Sequence, residues 1–146
     1  MSTIVVGIDG SPGSRAALEF ALQEARARDA DVKAVTAWRI PPAAYQSGMI
    51  PFPIEPADYE DPARAMLEQT LASLNGALAG VEVTPIVREG QAADVLTAEA
   101  QGADLLVVGS RGLGGFRGLL LGSVSQQCAH YASCPVAIVP APAEET

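Results

Sequence analysis

Residues 3–9 read Thr-Ile-Val-Val-Gly-Ile-Asp, and residues 104–109 read Asp-Leu-Leu-Val-Val-Gly. Both runs are apolar at consecutive positions, not at alternate ones. A strand with one wet face alternates apolar and polar side chains. A continuous run signals a strand buried on both faces, as in a parallel sheet covered by helices on each side. The segments between such runs carry a helical period. Leu18, Ala21, Leu22 and Ala25 repeat at the spacing of one helix face. The spacing predicts helices over 13–29, 61–79, 92–101 and 123–132. It predicts strands over 3–9, 32–38, 81–88, 104–109 and 135–140. Asp61 fits the cap of the second helix, with Pro62 at its first position.

Strands alternating with helices give right-handed βαβ units. The expected fold is α/β: a five-stranded, parallel, doubly wound sheet of flavodoxin-like (adenine-nucleotide-hydrolase-like) order 3-2-1-4-5, with helices on both faces. Pro85 falls inside the third strand and cannot donate to a ladder, so that strand belongs at an edge. Strands one and four then flank the topological switch point, where such folds bind ligands. Asp9 and the chain after Gly109 should meet there. Residues 39–60 fit no regular element. They hold five of the 11 prolines, together with Tyr45, Met49, Ile50, Phe52 and Ile54. They read as a long loop, either a surface insertion or a lid. Residues 141–146 read as a frayed tail, and the whole of 1–146 as one domain.

Composition narrows the function. The chain of 146 residues has a formal charge of −8, seven aromatics (one Trp, three Tyr, three Phe) and 49% apolar residues. Its acidity opposes nonspecific capture of nucleic acid or anionic lipid. No apolar run is long enough to span a membrane. A signal-peptide pattern is absent from the first residues. The expectation is a cytoplasmic protein with no nucleic-acid or membrane partner.

The densest signal is the stretch from Gly109 to Ser123, which contains six of the 14 glycines. It leaves a predicted buried strand and enters a helix. Glycines allow close approach of a ligand to the backbone. A helix start presents free amides and a partial positive charge, which favour phosphate. Ser123 suits the helix cap. The stretch lacks the Gly-Lys-Ser/Thr of a Walker loop, and the first turn, Asp9-Gly10-Ser11-Pro12-Gly13, lacks the dinucleotide fingerprint. No carboxylate occurs between Asp104 and Glu144, whereas Arg111 and Arg117 lie in the stretch. Either arginine can pair with phosphate oxygens or point to solvent. Asp9 faces bare phosphates unfavourably; it can accept a ribose hydroxyl, help hold a Mg²⁺ that bridges phosphate oxygens, or simply form an Asx-turn.

The spacing Gly109-x2-Gly112-x9-Gly122-Ser123 resembles the nucleotide loop of the universal stress protein family, specifically its ATP-binding branch. The opening Ile-Val-Val-Gly-Ile-Asp-Gly-Ser and the closing Cys-Pro-Val-Ala-Ile-Val extend the likeness over almost the whole chain. The resemblance implies an ATP-binding regulatory protein of the stress response, with Mg²⁺. It implies that Gly112, Gly122, Ser123 and Val124 hold the phosphates and ribose, with Arg111 in the same loop. Val108 and Gly109 are then on the ribose and adenine side, Gly7 and Asp9 at the end of the first strand, and Ala37 where backbone meets the adenine edge. It also implies a homodimer through Val136, Ala137, Ile138 and Val139, a short uncharged run expected at a sheet edge.

Two other readings stay open. One is a slow ATPase or nucleotide hydrolase, although no base for water and no Walker lysine is evident. The other is an interaction module without nucleotide, which the intact glycine spacing disfavours. No catalytic residue is assigned. Cys128, His130 and Cys134 lack zinc-site spacing, so the cysteines read as packing residues. Trp38 reads as packing, or as a cover for the base.

Overall fold

The computed structural model describes residues 2–46, 54–111 and 121–142. In chain order the elements are β1 (Thr3–Gly7), α1 (Pro12–Arg28), β2 (Asp31–Trp38), α2 (Pro42–Gln46), α3 (Ala57–Ser73), β3 (Val83–Glu89), α4 (Ala92–Glu99), β4 (Leu105–Gly109), α5 (Ser123–Tyr131) and β5 (Val136–Val139). The strands form one sheet of order β3-β2-β1-β4-β5, and every pairing is parallel. This is the expected doubly wound α/β fold. Pro85 lies on edge strand β3, in register with Ala34.

The continuous apolar runs are buried because each face of the sheet carries helices. One core joins Ile4, Val6 and Val107 of the sheet to Leu18 and Leu22 of α1 and Leu67 of α3. The other joins Val5, Val35, Leu106 and Val108 to Leu96 of α4 and Cys128 of α5. Neighbouring strand residues thus feed opposite cores. Leu67 is fully buried and anchors α3, so its truncation to Ala costs about 2–5 kcal/mol.

Two expectations about the central segment need correction. The helix expected over 61–79 begins at Ala57 and ends at Ser73. Its cap is Pro56, not Asp61, and Pro62 lies inside the helix. The proline is accommodated because the carbonyl it leaves unpaired, that of Asp58, is on an exposed residue that water can serve. Residues 74–79 form turns, and Arg26 at the end of α1 donates to the carbonyls of Ala77 and Ala79. Residues 39–60 are not wholly loop: α2 and the start of α3 fall within them, while 47–53 lie outside the described residues. So does 143–146 of the expected tail.

Candidate functional site

The site is built where β1 and β4 end side by side. Their last paired residues are Val6 and Val107. Beyond them the chains diverge, β1 into the turn before α1 and β4 into the glycine-rich stretch before α5.

The turn after β1 is held by four short hydrogen bonds. Asp9 Oδ1 accepts the Ser11 amide at 2.9 Å, an Asx-turn. Ser11 Oγ accepts the Ser14 amide at 3.1 Å and caps α1. The Ser14 hydroxyl donates to the Ser11 carbonyl at 3.0 Å and accepts the Asp9 amide at 3.2 Å. Asp9 is exposed, and its Oδ2 has no donor among the described residues. Gly10 adopts φ +83°, a left-handed conformation that favours glycine. The side chain of Met66 covers it, with Cγ 3.1 Å from the position a Cβ would take. Sequence reasoning missed Met66, because α3 reaches this turn only through the tertiary fold.

The chain after β4 is pinned at both ends of the glycine-rich stretch. The Ser110 amide donates to Val139 at 2.8 Å, and the Gly122 amide donates to the Ser110 carbonyl at 2.6 Å. The buried hydroxyl of Ser125 lies 3.0 Å from the Ser110 carbonyl and 2.9 Å from that of Gly122. The two ends of the stretch, Ser110 and Gly122, are thus hydrogen-bonded to each other. Gly112 and Arg117 lie outside the described residues.

α5 starts at Ser123, and its cap is Gly122. The expected Ser123 cap is thus corrected by one position. The Gly122 carbonyl takes the Gln126 amide at 3.0 Å, so the helical ladder already begins there. The amides of Ser123, Val124 and Ser125 find no acceptor among the described residues, as expected of a first turn. Ser123 is exposed, and Val124 packs half-buried on the second core.

The other expected site residues take varied positions. Gly109 approaches the backbone of Gly13 at the start of α1. Arg111 follows two residues later and is half-buried, with its carbonyl against Gly13. The side chain of Val108 is in the second core, which leaves only its backbone to meet a ligand. Gly7 sits under Leu96, whose Cδ1 would be 2.8 Å from an added Cβ. That contact alone accounts for a glycine there.

Ala37 lies near the end of β2. The Val35 carbonyl accepts the Ile8 amide, whereas the Trp38 carbonyl accepts the Gly90 amide beyond β3. Peptide groups alternate sides along a strand, so the amide and carbonyl of Ala37 point toward β1. The β1–β2 ladder has by then ended at Gly7–Val35. Trp38 is half-buried against the first core, on the opposite face from Ala37, which packs on the second. The indole is a packing group.

The cysteines also pack. Cys128 is fully buried, and burial pushes its thiol up to about 11. Burial and the charge of Asp104 raise Cys134 as well. Neither is a thiolate at neutral pH, the form that metals and electrophiles need. Among the described residues no His, Cys, Asp or Glu group is arranged to hold a metal by itself. A Mg²⁺ held here would need phosphate oxygens for most of its ligands. No helix among the described residues is long and apolar enough to cross a membrane.

Comparison with known proteins gives a consistent picture. The model of the Universal stress protein family matches residues 1–140. A universal stress protein of Mycolicibacterium smegmatis is 41% identical over 138 residues, which cover 93% of this chain and 45% of that protein. The chain spans about half the length of the curated relatives it matches. Among solved structures, a universal stress protein in complex with cAMP has a TM-score of 0.74 at 29% identity, covering 97% of this chain and 98% of that one. An Arabidopsis thaliana universal stress protein family protein with AMP bound shares the fold at a TM-score of 0.67 and 21% identity, covering 98% and 94% of the two chains.

Proposed function

Because the chain belongs to the universal stress protein family, we propose that it is a nucleotide-binding regulatory protein of the stress response, and that its ligand is ATP with Mg²⁺. The observation that carries this reading is the Gly122–Ser110 hydrogen bond that closes the ends of the glycine-rich stretch and leads directly into Ser123, Val124 and Ser125, whose amides find no acceptor among the described residues. Such amides at a helix start favour phosphate oxygens. Gly112 and Arg111 belong to the same loop and complete the phosphate side. The cAMP bound by the related structure adds support for an adenine nucleotide.

Asp9 fits the cation. One carboxylate oxygen is used by the Ser11 amide, and the other stays available to Mg²⁺ or to a ribose hydroxyl. Gly7, Val108 and Gly109 line the strand ends beside it, and Ala37 offers the adenine edge an amide and a carbonyl that have no partner among the described residues. Bound Mg²⁺ would neutralise part of the phosphate charge. The chain's own groups bind and orient the nucleotide; they include no lysine for the phosphates, because Lys33, the single lysine, lies within β2 between Val5 and Thr84. Binding that shifts conformational populations therefore fits the site better than turnover.

A homodimer is part of the proposal. β5 is an edge strand of four uncharged residues, all half-buried, and among the described residues one side of its ladder is unpaired. Antiparallel pairing with a second copy through Val136, Ala137, Ile138 and Val139 would satisfy it.

The test is the nucleotide carried through native purification, identified by mass, followed by calorimetry with ATP. Bound adenine nucleotide, with affinity weakened in Gly122→Glu, supports the reading. A nucleotide-free protein with no measurable ATP affinity overturns it. Hydrolysis above that of Gly122→Glu would favour the ATPase reading.

A further inference from the structure

We infer that Thr36 is a positioning residue for base recognition: its hydroxyl supplies the Ile8 carbonyl with a donor where the strands part, and so lets the Ala37 amide stay free. The inference rests on the proposed nucleotide reading and deepens it.

Thr36 is an anomaly within its strand. β2 is otherwise apolar from Ala34 to Trp38, and Thr36 is only 2% exposed. A buried hydroxyl costs free energy unless it is paired. Its one partner among the described residues is the Ile8 carbonyl, to which it donates at 2.9 Å. Ile8 immediately precedes Asp9.

The Ile8 amide still bonds to the Val35 carbonyl at 2.9 Å. In a parallel ladder the next rung would run from the Ala37 amide to the Ile8 carbonyl. That rung does not form, and β1 ends at Gly7. The Thr36 hydroxyl supplies the donor instead, so the strands can part here without stranding the Ile8 carbonyl. The Ile8 carbonyl is satisfied without Ala37, and the Ala37 amide has no acceptor among the described residues. One hydroxyl thus couples the strand end assigned to adenine with the turn that carries Asp9.

A valine at position 36 has the same shape and no donor. The Ile8 carbonyl must then take the Ala37 amide or remain unpaired in the interior. Either result withdraws or displaces the group that reads the base. A serine retains the donor and should behave as the wild type does.

The experiment uses Thr36→Val and Thr36→Ser in the full chain. Calorimetry with ATP and GTP gives the base preference, and amide hydrogen exchange at Ala37 is read without nucleotide. We expect fast exchange at Ala37 in the wild type and in Thr36→Ser, and slowed exchange in Thr36→Val. We expect ATP affinity to fall about tenfold in Thr36→Val, the worth of one hydrogen bond to the base, with a narrowed preference over GTP. Recovery in Thr36→Ser separates this from general destabilisation. Protected Ala37 in the wild type, or an unchanged ATP-over-GTP ratio in Thr36→Val, overturns the inference while the proposed function stands. A wild-type chain that takes up no ATP but shows fast Ala37 exchange overturns the proposed function and the base-reading role together, and reduces Thr36 to a structural bond.

Discussion

Gly109 and Gly13 are in backbone contact: a Cβ added to Gly109 would lie 2.8 Å from the Gly13 carbonyl carbon and 2.9 Å from its oxygen. The end of β4 and the start of α1 approach this closely because neither residue has a side chain. The same contact holds the end of β4, where the glycine-rich stretch begins, against the start of α1.

Gly109→Ala therefore meets backbone, which cannot rotate away. The expected loss is about 1–3 kcal/mol, the range for overpacking a core, read from urea midpoints. Gly7→Ala meets the tip of Leu96 instead and should cost less. Equal losses would show that Leu96 is as rigid as the Gly13 backbone.

Asp9→Asn keeps an oxygen for the Ser11 amide but removes the charge. Its stability should stay within about 0.5 kcal/mol of wild type, since the turn survives. Affinity for Mg-ATP should fall, while that for adenosine should hold. A parallel loss for adenosine would place Asp9 on the nucleoside and not on the cation.

Ser125→Ala strips the hydroxyl that lies within hydrogen-bond reach of the Ser110 and Gly122 carbonyls. The Ser110 carbonyl retains the Gly122 amide, so the expected cost is about 1 kcal/mol. Loosening this junction should raise the rate of proteolysis between residues 111 and 121. Unchanged cleavage would mean that the Gly122–Ser110 bond suffices alone.

Cys128 and Cys134 should respond differently to iodoacetamide. The thiolate is the reactive form, and Cys128 is raised from 9.0 to about 11 by burial. At pH 8, Cys134 should be labelled first and Cys128 only on unfolding. Because the folded value lies above the unfolded one, the contribution of Cys128 to stability is intact below pH 9 and lost as the pH rises toward 11. Labelling of Cys128 in the native state at pH 8 would contradict its burial.

Val136→Lys places a charge on the proposed dimer strand. The mass in solution should change from that of a dimer to that of a monomer, with nucleotide affinity retained. A wild-type monomer would remove the β5 pairing.

Much of the fold was legible because burial leaves a local mark. The unbroken apolar runs at Thr3–Gly7 and Leu105–Gly109 announced strands covered on both faces, and Pro85 announced an edge. The start of α3 was misread because Asp61-Pro62 has the local form of a helix beginning, although the helix starts at Ala57. Ser123 was misplaced by one residue for a similar reason: serine caps helices well, yet the ladder already begins at the Gly122 carbonyl.

The amino-acid sequence by itself determined the sheet type, the edge position of β3 and the glycine-rich stretch, since periodicity, a strand proline and glycine spacing are local properties. Only the tertiary structure decided how the pieces meet. Met66 covers Gly10 across 56 positions of chain, and Thr36 reaches the Ile8 carbonyl across 28. Neither contact has a local signature. Each exists because parallel pairing brings strand ends together that the chain itself keeps far apart.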